Sequence, residues 1–478
     1  EPRGAAESPA GGEIRYGFTS EPKTLDPLNP ANTADGRSIL FNVFEGLVKP
    51  NPQGLMEGAA AQEYRMEQDG LVYAFTLREG VFFHDGSALT PRDAVFSLET
   101  AIQAGLPGFG QIAGVEITGD REIRITLHAP DREFLPYLSV AMVPAHNADR
   151  EKNPIGTGPF RIARYTPQQS LVMEKNPRYW QRGLPKLDRV TLVFLANSEA
   201  LIPALHGGNI DAATVTGSIV EQLDPEGFDI IHHYSNAVQL LALNNAAPPL
   251  NDVRVRRALS YAVDVPQIIE TAFYGRGEPS GSPLIPGLAH AYETALRSPY
   301  PADPEKARQL LADAGLAGGF PLEIAVPSNY SMHGHTAEVM VNQLAAVGIQ
   351  ARIKQLDWLA WLAGVYHDRN YQATVISIDA PNVSPRAFLS RYYSSAEDNF
   401  LNYTSPAFDA IYRAALAEPE GEKRTALYKE AQRQISGDAA GVYIQDIYDF
   451  KALVKGRYAG LRAYPLYVVD FSTLYQTP

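Results

Sequence analysis

Six consecutive segments decide the fold: DPEKARQLLADAG (303–315), LEIAVPS (322–328), HTAEVMVNQLAAVG (335–348), IQARIKQLD (349–357), WLAWLAGVY (358–366) and YQATVISID (371–379). Their apolar spacing predicts helix, strand, helix, strand, helix, strand. The first helix carries its own punctuation: Asp303 as N-cap, Pro304 at the first helical position and Gly315 past the last turn. Strands separated by helices imply right-handed crossovers onto a largely parallel sheet. Ligands on such sheets lie beyond the carboxyl ends of the strands. QLDWLAW (355–361) and ISIDAPN (376–382) fall at those ends.

Working outward, strand-like alternation occurs in EIRYGFT (13–19), in LVYAFTLR (71–78), where Leu71, Tyr73, Phe75 and Leu77 share a face, and in EIRITLH (122–128). RVTLVFL (189–195) and VQLLALN (238–244) are more uniformly apolar, the pattern of strands covered on both sides. In LTPRDAVFSLETAI (89–102) Thr90 is an N-cap, Pro91 the first helical residue and Asp93 the partner in a capping-box-like pair. RVRR (254–257) begins a helix after Asp252 and is expected on its solvated face. No repeat, heptad or long linker interrupts the chain.

The chain has 478 residues, 45% hydrophobic and 20% charged, with a net charge of -13. That is a globular composition with ample core, and the acidic balance without a basic block excludes nucleic acid as a partner. There is no cysteine. A disulfide scaffold, thiol catalysis, thiolate zinc and a lipid-modified N-terminal cysteine are therefore excluded. EPRGAAESPAGG (1–12), small and polar, reads as a flexible mature N-terminus left by a removed signal peptide. No apolar run approaches the roughly 18 residues that span a bilayer.

Catalytic patterns fail in turn. There is no G-x-S-x-G elbow, no H-E-x-x-H and no G-x-x-x-x-G-K-[ST]. GFGQIA (108–113) follows a helix and Pro107, the wrong context for a dinucleotide turn. MHGH (332–335) and HH (232–233) hold paired histidines at positions better read as polar surface than as metal ligands. His84 and Asp85, in VFFHDG (81–86), suggest a dyad. Adjacent residues of an extended segment point apart, and Asp-Gly favours a turn, so the pair reads as structural.

The same stretch carries a family signature. GLVYAFTLREGVFFHDGSALTPRDAVFSLE (70–99) resembles a segment of the large extracytoplasmic solute-binding proteins of ABC importers, the peptide/nickel/opine-binding family 5. SEPKTLDPLNPANTADGRSILFNVFEGLV (20–48), the GTGPF and N-x-x-Y-W block (154–192), LALNNAAPPLNDVRVRRALSYAVD (241–264) and LNYTSPAFDAIYRAAL (401–416) continue the resemblance over roughly 13–476. It implies an α/β, two-lobe periplasmic-binding-protein fold (type II, cluster C) with an extra subdomain in lobe one. Lobe one would comprise 13–45, 155–238 and 455–478, the extra subdomain 46–154, and lobe two 239–454. Hinge strands would lie near VQLLALN and FKALVKG (450–456).

The resemblance further implies a periplasmic, monomeric binding component with neither catalytic residue, metal nor cofactor. It would capture a short peptide or amino-acid conjugate by hinge closure and deliver it to a membrane permease. Trp358 matches a pocket tryptophan of dipeptide-binding relatives, with Trp361 a weaker candidate. The family's ammonium-binding aspartate falls at Pro381, and Asp379 is the only carboxylate of IDAPNVSPRAFL (378–389), displaced by two residues. Thr33, Asn236, Tyr393 and Tyr403 lie in segments that line the cleft in relatives, and Arg391 or Arg386 is placed to meet a ligand carboxylate. A nickel chelate or an opine is the alternative ligand, although the nickel branch's histidine falls near Ile376 or Ser377. A hydrolase on the same scaffold is the outsider.

Overall fold

The computed structural model describes residues 11–32, 34–380, 382 and 384–478. Most of the N-terminal segment expected to be flexible, together with Thr33 and Pro381, lies outside them. The chain forms two compact units, Glu1–His233 with Asp449–Pro478, and Tyr234–Tyr448. Strands Phe228–Leu243 and Gly441–Val454 each contain one of the two crossings.

In the first unit, strand Glu13–Phe18 pairs in parallel with Arg189–Phe194 on one side and Ala212–Val215 on the other. Ser170–Lys175 and Phe160–Thr166 extend the sheet antiparallel, and residues 450–453 close its other side. Ile14, Tyr16 and Phe18 pack inward with Leu192 and Phe471. In Arg189–Phe194 only Val190 and Leu192 are fully buried. The two-sided cover expected of this strand is therefore corrected to one covered face: Arg189 and Thr191 alternate outward, as in a sheet with one solvated side.

A second sheet in this unit is antiparallel throughout, in the order Ala61–Glu67, Val72–Leu77, Glu122–Leu127, Ile112–Ile117. Helix Pro91–Gln103 packs on it through Ala94, Leu98 and Ala101. The helix begins with the capping box read from sequence: the Asp93 N–H donates to Thr90 Oγ1 at 3.4 Å, and the Thr90 N–H to Asp93 Oδ2 at 2.9 Å. The glycines of GTGPF answer to backbone proximity. A Cβ on Gly156 would lie 2.1 Å from the Val43 carbonyl oxygen, and one on Gly158 2.6 Å from the Val43 carbonyl carbon.

In the second unit, strand Pro321–Pro327 pairs in parallel with both Gln350–Leu356 and Ala373–Asp379, the arrangement expected from the alternating pattern. Residues 237–243 then pair antiparallel with Ala373–Asp379, followed by Gly441–Val454 and Gly277–Pro279. Val238 to Leu243 are all buried. Helices Pro304–Asp313 and Ser331–Ala345 cover the sheet with Leu311, Met340 and Leu344 against Ile324, Val375 and Ile444. Asp303 accepts from the Lys306 N–H at 2.9 Å, and Gly315 takes φ +79° past the helix end.

One expectation is reversed in this unit. Arg256 of RVRR is 7% exposed and donates to the carbonyls of Leu250, Asp438 and Ala439. It satisfies backbone acceptors left over after helix Glu422–Gly437 ends.

Candidate functional site

The three parallel strands of the second unit end together. Pro327 sits opposite Leu356, and Ala325 opposite Thr374, so the residues that follow emerge at one edge. That edge carries Tyr330, Trp358 and Asp379. Asp357 caps the short helix Trp358–Trp361, its carboxylate accepting from the Ala360 N–H at 3.0 Å.

The indoles of Trp358 and Trp361 lie parallel, 4° apart with centroids separated by 5.2 Å. Tyr330 meets Trp358 edge-on at 85° and 5.7 Å. Trp358 is 36% exposed and Trp361 only 3%. The inner indole is fixed by its Nε1–H, which donates to Thr374 Oγ1 at 2.9 Å, while Thr374 donates to the Ala325 carbonyl at 2.8 Å. Trp361 thus supports the wall, and Trp358 is its surface.

Asp379 ends its strand with an exposed side chain. Asn236 donates through Nδ2 to the Ala380 carbonyl at 3.0 Å, and its buried Oδ1 has no hydrogen-bond partner among the described residues. Arg391 Nη2 donates to the Asp379 carbonyl at 3.3 Å, and its buried Nε has no partner among the described residues. Ser377 Oγ and Asn382 Oδ1 are also buried without partners among the described residues. A concentration of unsatisfied polar atoms on one edge is the pattern of a surface prepared for a polar ligand.

The remaining candidates divide. Tyr393 accepts from Arg413 Nη1 at 2.9 Å and is half-buried. Tyr403 is 2% exposed and donates to Asp438 Oδ2 at 2.7 Å, which places it in the interior rather than on the edge. Arg386 lies in the short helix Pro385–Leu389 that leads toward Arg391.

Beneath the edge runs a buried chain of amides. Gln445 Nε2 donates to Gln239 Oε1 at 2.8 Å, and Gln239 Nε2 donates to His333 Nδ1 at 3.1 Å and Thr336 Oγ1 at 3.0 Å. Burial pushes the His333 imidazole down to about 4, so it is neutral at pH 7. His335 is exposed while His333 is buried, so MHGH does not converge two imidazoles.

His84 is likewise structural. Its Nδ1 accepts from the Gly156 N–H at 3.2 Å, and Nε2 lies 3.0 Å from the Gly158 carbonyl. Burial pushes its imidazole down to about 4. Asp85 turns the other way, accepting from Ser87 and pairing with His146 at 2.8 Å. No dyad forms.

The first unit offers a site that the residue pattern did not reveal. Beyond the carboxyl ends of Glu13–Phe18 and Ala212–Val215 lies a pocket of about 200 Å³ lined by Thr19, Ser20, Ser198, Thr216, Asp449 and Tyr467, among others. Thr214 in its wall is hydrogen-bonded to Tyr16 at 2.8 Å, and Asp449 accepts from the buried Lys451 at 2.7 Å. A larger depression, about 790 Å³, lies at the opposite ends of these strands around Asp211. There Asp211 accepts from the Arg15 N–H, Nε and Nη2 and from Arg457 Nη1, all within 3.0 Å. These bonds hold its carboxyl below the usual range despite burial. The cluster is charge-saturated, and it stands at the amino ends where open sheets do not bind ligands.

Comparison with known proteins matches residues 56–400 to the family of bacterial extracellular solute-binding proteins, family 5, middle region. The chain belongs to this family. It is 27% identical over 456 residues to Heme-binding protein A of Haemophilus influenzae, covering 84% of this chain and 81% of that protein. Over 433 residues it is 27% identical to the Glutathione-binding protein GsiB of Salmonella typhi, covering 86% and 84%. Among solved structures it matches the ABC transporter-associated periplasmic binding protein DppA from Helicobacter pylori in complex with peptide STSA. The TM-score is 0.76 at 25% identity, over 98% of this chain and 99% of that one.

Proposed function

We propose that the protein is the periplasmic, monomeric solute-binding component of an ABC importer. It takes up a short peptide or amino-acid conjugate and hands it to a membrane permease without chemical change. The observation that carries this reading is the strand end where Asp379 has an exposed side chain and its backbone carbonyl accepts from Arg391. The Arg391 Nη2 lies 3.3 Å from the Asp379 carbonyl, and its Nε has no partner among the described residues. Opposite charges at one strand end suit a ligand bearing an ammonium beside a carboxylate, through charge-assisted hydrogen bonds. Opines share that chemistry.

Capture would proceed by hinge closure, with ligand stabilising the form in which both lobes touch it. The lobes would be 13–45 with 155–238 and 455–478 on one side and 239–454 on the other, with 46–154 as an added subdomain. That subdomain reading is supported by a hydrophobic core of its own, from Leu47 and Val48 to Leu138 and Met142. Export through a removed signal peptide accords with the family's extracellular setting. Among the described residues no helix is long and apolar enough to cross a membrane.

Thermal melts with glutathione, Ala-Phe and a nickel–histidine chelate test the ligand class. A peptide-dependent rise in Tm is expected. A rise with the nickel chelate alone, or no rise with any of the three at millimolar concentration, would overturn it.

A further inference from the structure

The aromatic column at the edge of the second unit stops at an uncovered ring. Tyr366 stacks on Trp361 at 28° and 6.4 Å, and Trp361 stacks on Trp358 at 4° and 5.2 Å. With Trp361 on one face of Trp358 and Tyr330 standing perpendicular beside it, the outer residue Trp358, 36% exposed, ends the stack. Among the described residues of this unit the exposed large hydrophobics are Tyr274, Tyr330, Trp358 and Leu359. Three of these four, Tyr330, Trp358 and Leu359, follow closely on the adjacent strands Pro321–Pro327 and Gln350–Leu356.

Hydrogen bonds hold the column from behind. Trp361 is pinned through Thr374 to the Ala325 carbonyl, and Asp357 caps the helix that carries both indoles. A π-helical turn, Leu362–His367, follows directly and sets Tyr366 beneath Trp361, and such turns concentrate at functional sites. A large apolar surface left open costs stability unless something covers it. A parallel pair selects a third flat ring over an aliphatic chain, because offset stacking adds attraction beyond buried area.

We propose that the ligand carries a planar aromatic group that stacks on Trp358, walled by Tyr330. This rests on the reading of this edge as the ligand face and narrows the ligand to aromatic-bearing peptides or conjugates.

The test uses the full chain with Trp180→Phe, so that indole emission reports only Trp358 and Trp361. It is titrated with Ala-Phe and with its saturated counterpart Ala-cyclohexylalanine, alongside native mass spectrometry of freshly purified protein. Ala-Phe is expected to bind roughly three- to tenfold tighter, the range stacking supplies, although the saturated ring is the more hydrophobic. The preference should vanish in Trp358→Leu and persist in Trp358→Phe. Equal or reversed affinities, or a preference untouched by Trp358→Leu, overturn the inference while leaving the solute-binding role standing. If neither peptide binds, the co-purified solute decides. A solute with an aromatic ring that Trp358→Leu no longer retains supports the inference. A solute without a ring, or a ringed one still retained, overturns the inference alone. No solute and no peptide binding overturns the solute-binding reading with it.

Discussion

Replacing His84 with asparagine should flatten the acid sensitivity of the first unit. His84 is neutral because burial strips its charged form of water, pushing its imidazole to about 4 from the free value of 6.5. Protonating Nδ1 would also set an N–H against the Gly156 N–H that it now accepts. The unfolded chain binds the proton more readily than the folded one. Stability is therefore complete above pH 6.5 and is lost as pH falls from 6.5 toward 4. The loss amounts to about 2 kcal/mol at pH 5 and approaches about 3 kcal/mol below pH 4. Asparagine at 84 can still accept from Gly156, and the Gly158 carbonyl keeps its bond from Asn176 Nδ2 at 3.0 Å. The variant should lose about 1 kcal/mol at pH 7.5 through poorer packing. Its further loss between pH 7.5 and 5.0, read by urea unfolding, should be smaller than wild type's by about 2 kcal/mol. An unchanged difference between the two pH values would refute the assignment of His84 as a half-buried histidine held neutral.

Three other substitutions probe separate links. Asp379→Asn should weaken binding of an amine-bearing ligand roughly tenfold by calorimetry; unaltered affinity would make Asp379 only a strand end. Gly156→Ala should destabilise the first unit by about 3 kcal/mol, since the added methyl must displace the Val43 backbone, and an unchanged Tm would contradict that geometry. Asp211→Ala should cost about 2 kcal/mol by leaving Arg15 and Arg457 without their shared acceptor, without altering ligand affinity. A loss of affinity with Tm preserved would move the binding site to this end of the strands.

The second unit was the more legible because its architecture is local. Helix and strand alternate from Asp303 to Asp379, the three parallel strands follow one another within that stretch, and the edge carrying Trp358 and Asp379 follows from the topology alone. Caps such as Thr90 and Asp303 were readable because side chain and backbone partner sit three residues apart. Non-local pairing hid the rest. Glu13 pairs with Arg189, so nothing near residue 13 announces a parallel sheet, and the hydroxyl-lined pocket beyond Phe18 went unread. Burial of polar residues was the other blind spot. Arg256 and Tyr403 look like surface groups in sequence, yet each satisfies a polar partner in the interior around Asp438.

The two units, Glu1–His233 with Asp449–Pro478 and Tyr234–Tyr448, are proposed to close on a solute. Small-angle scattering, recorded with and without a peptide whose saturation calorimetry has verified, tests that proposal most directly. A smaller radius of gyration with ligand bound is expected. Superimposable curves at full occupancy would contradict closure as the means of capture.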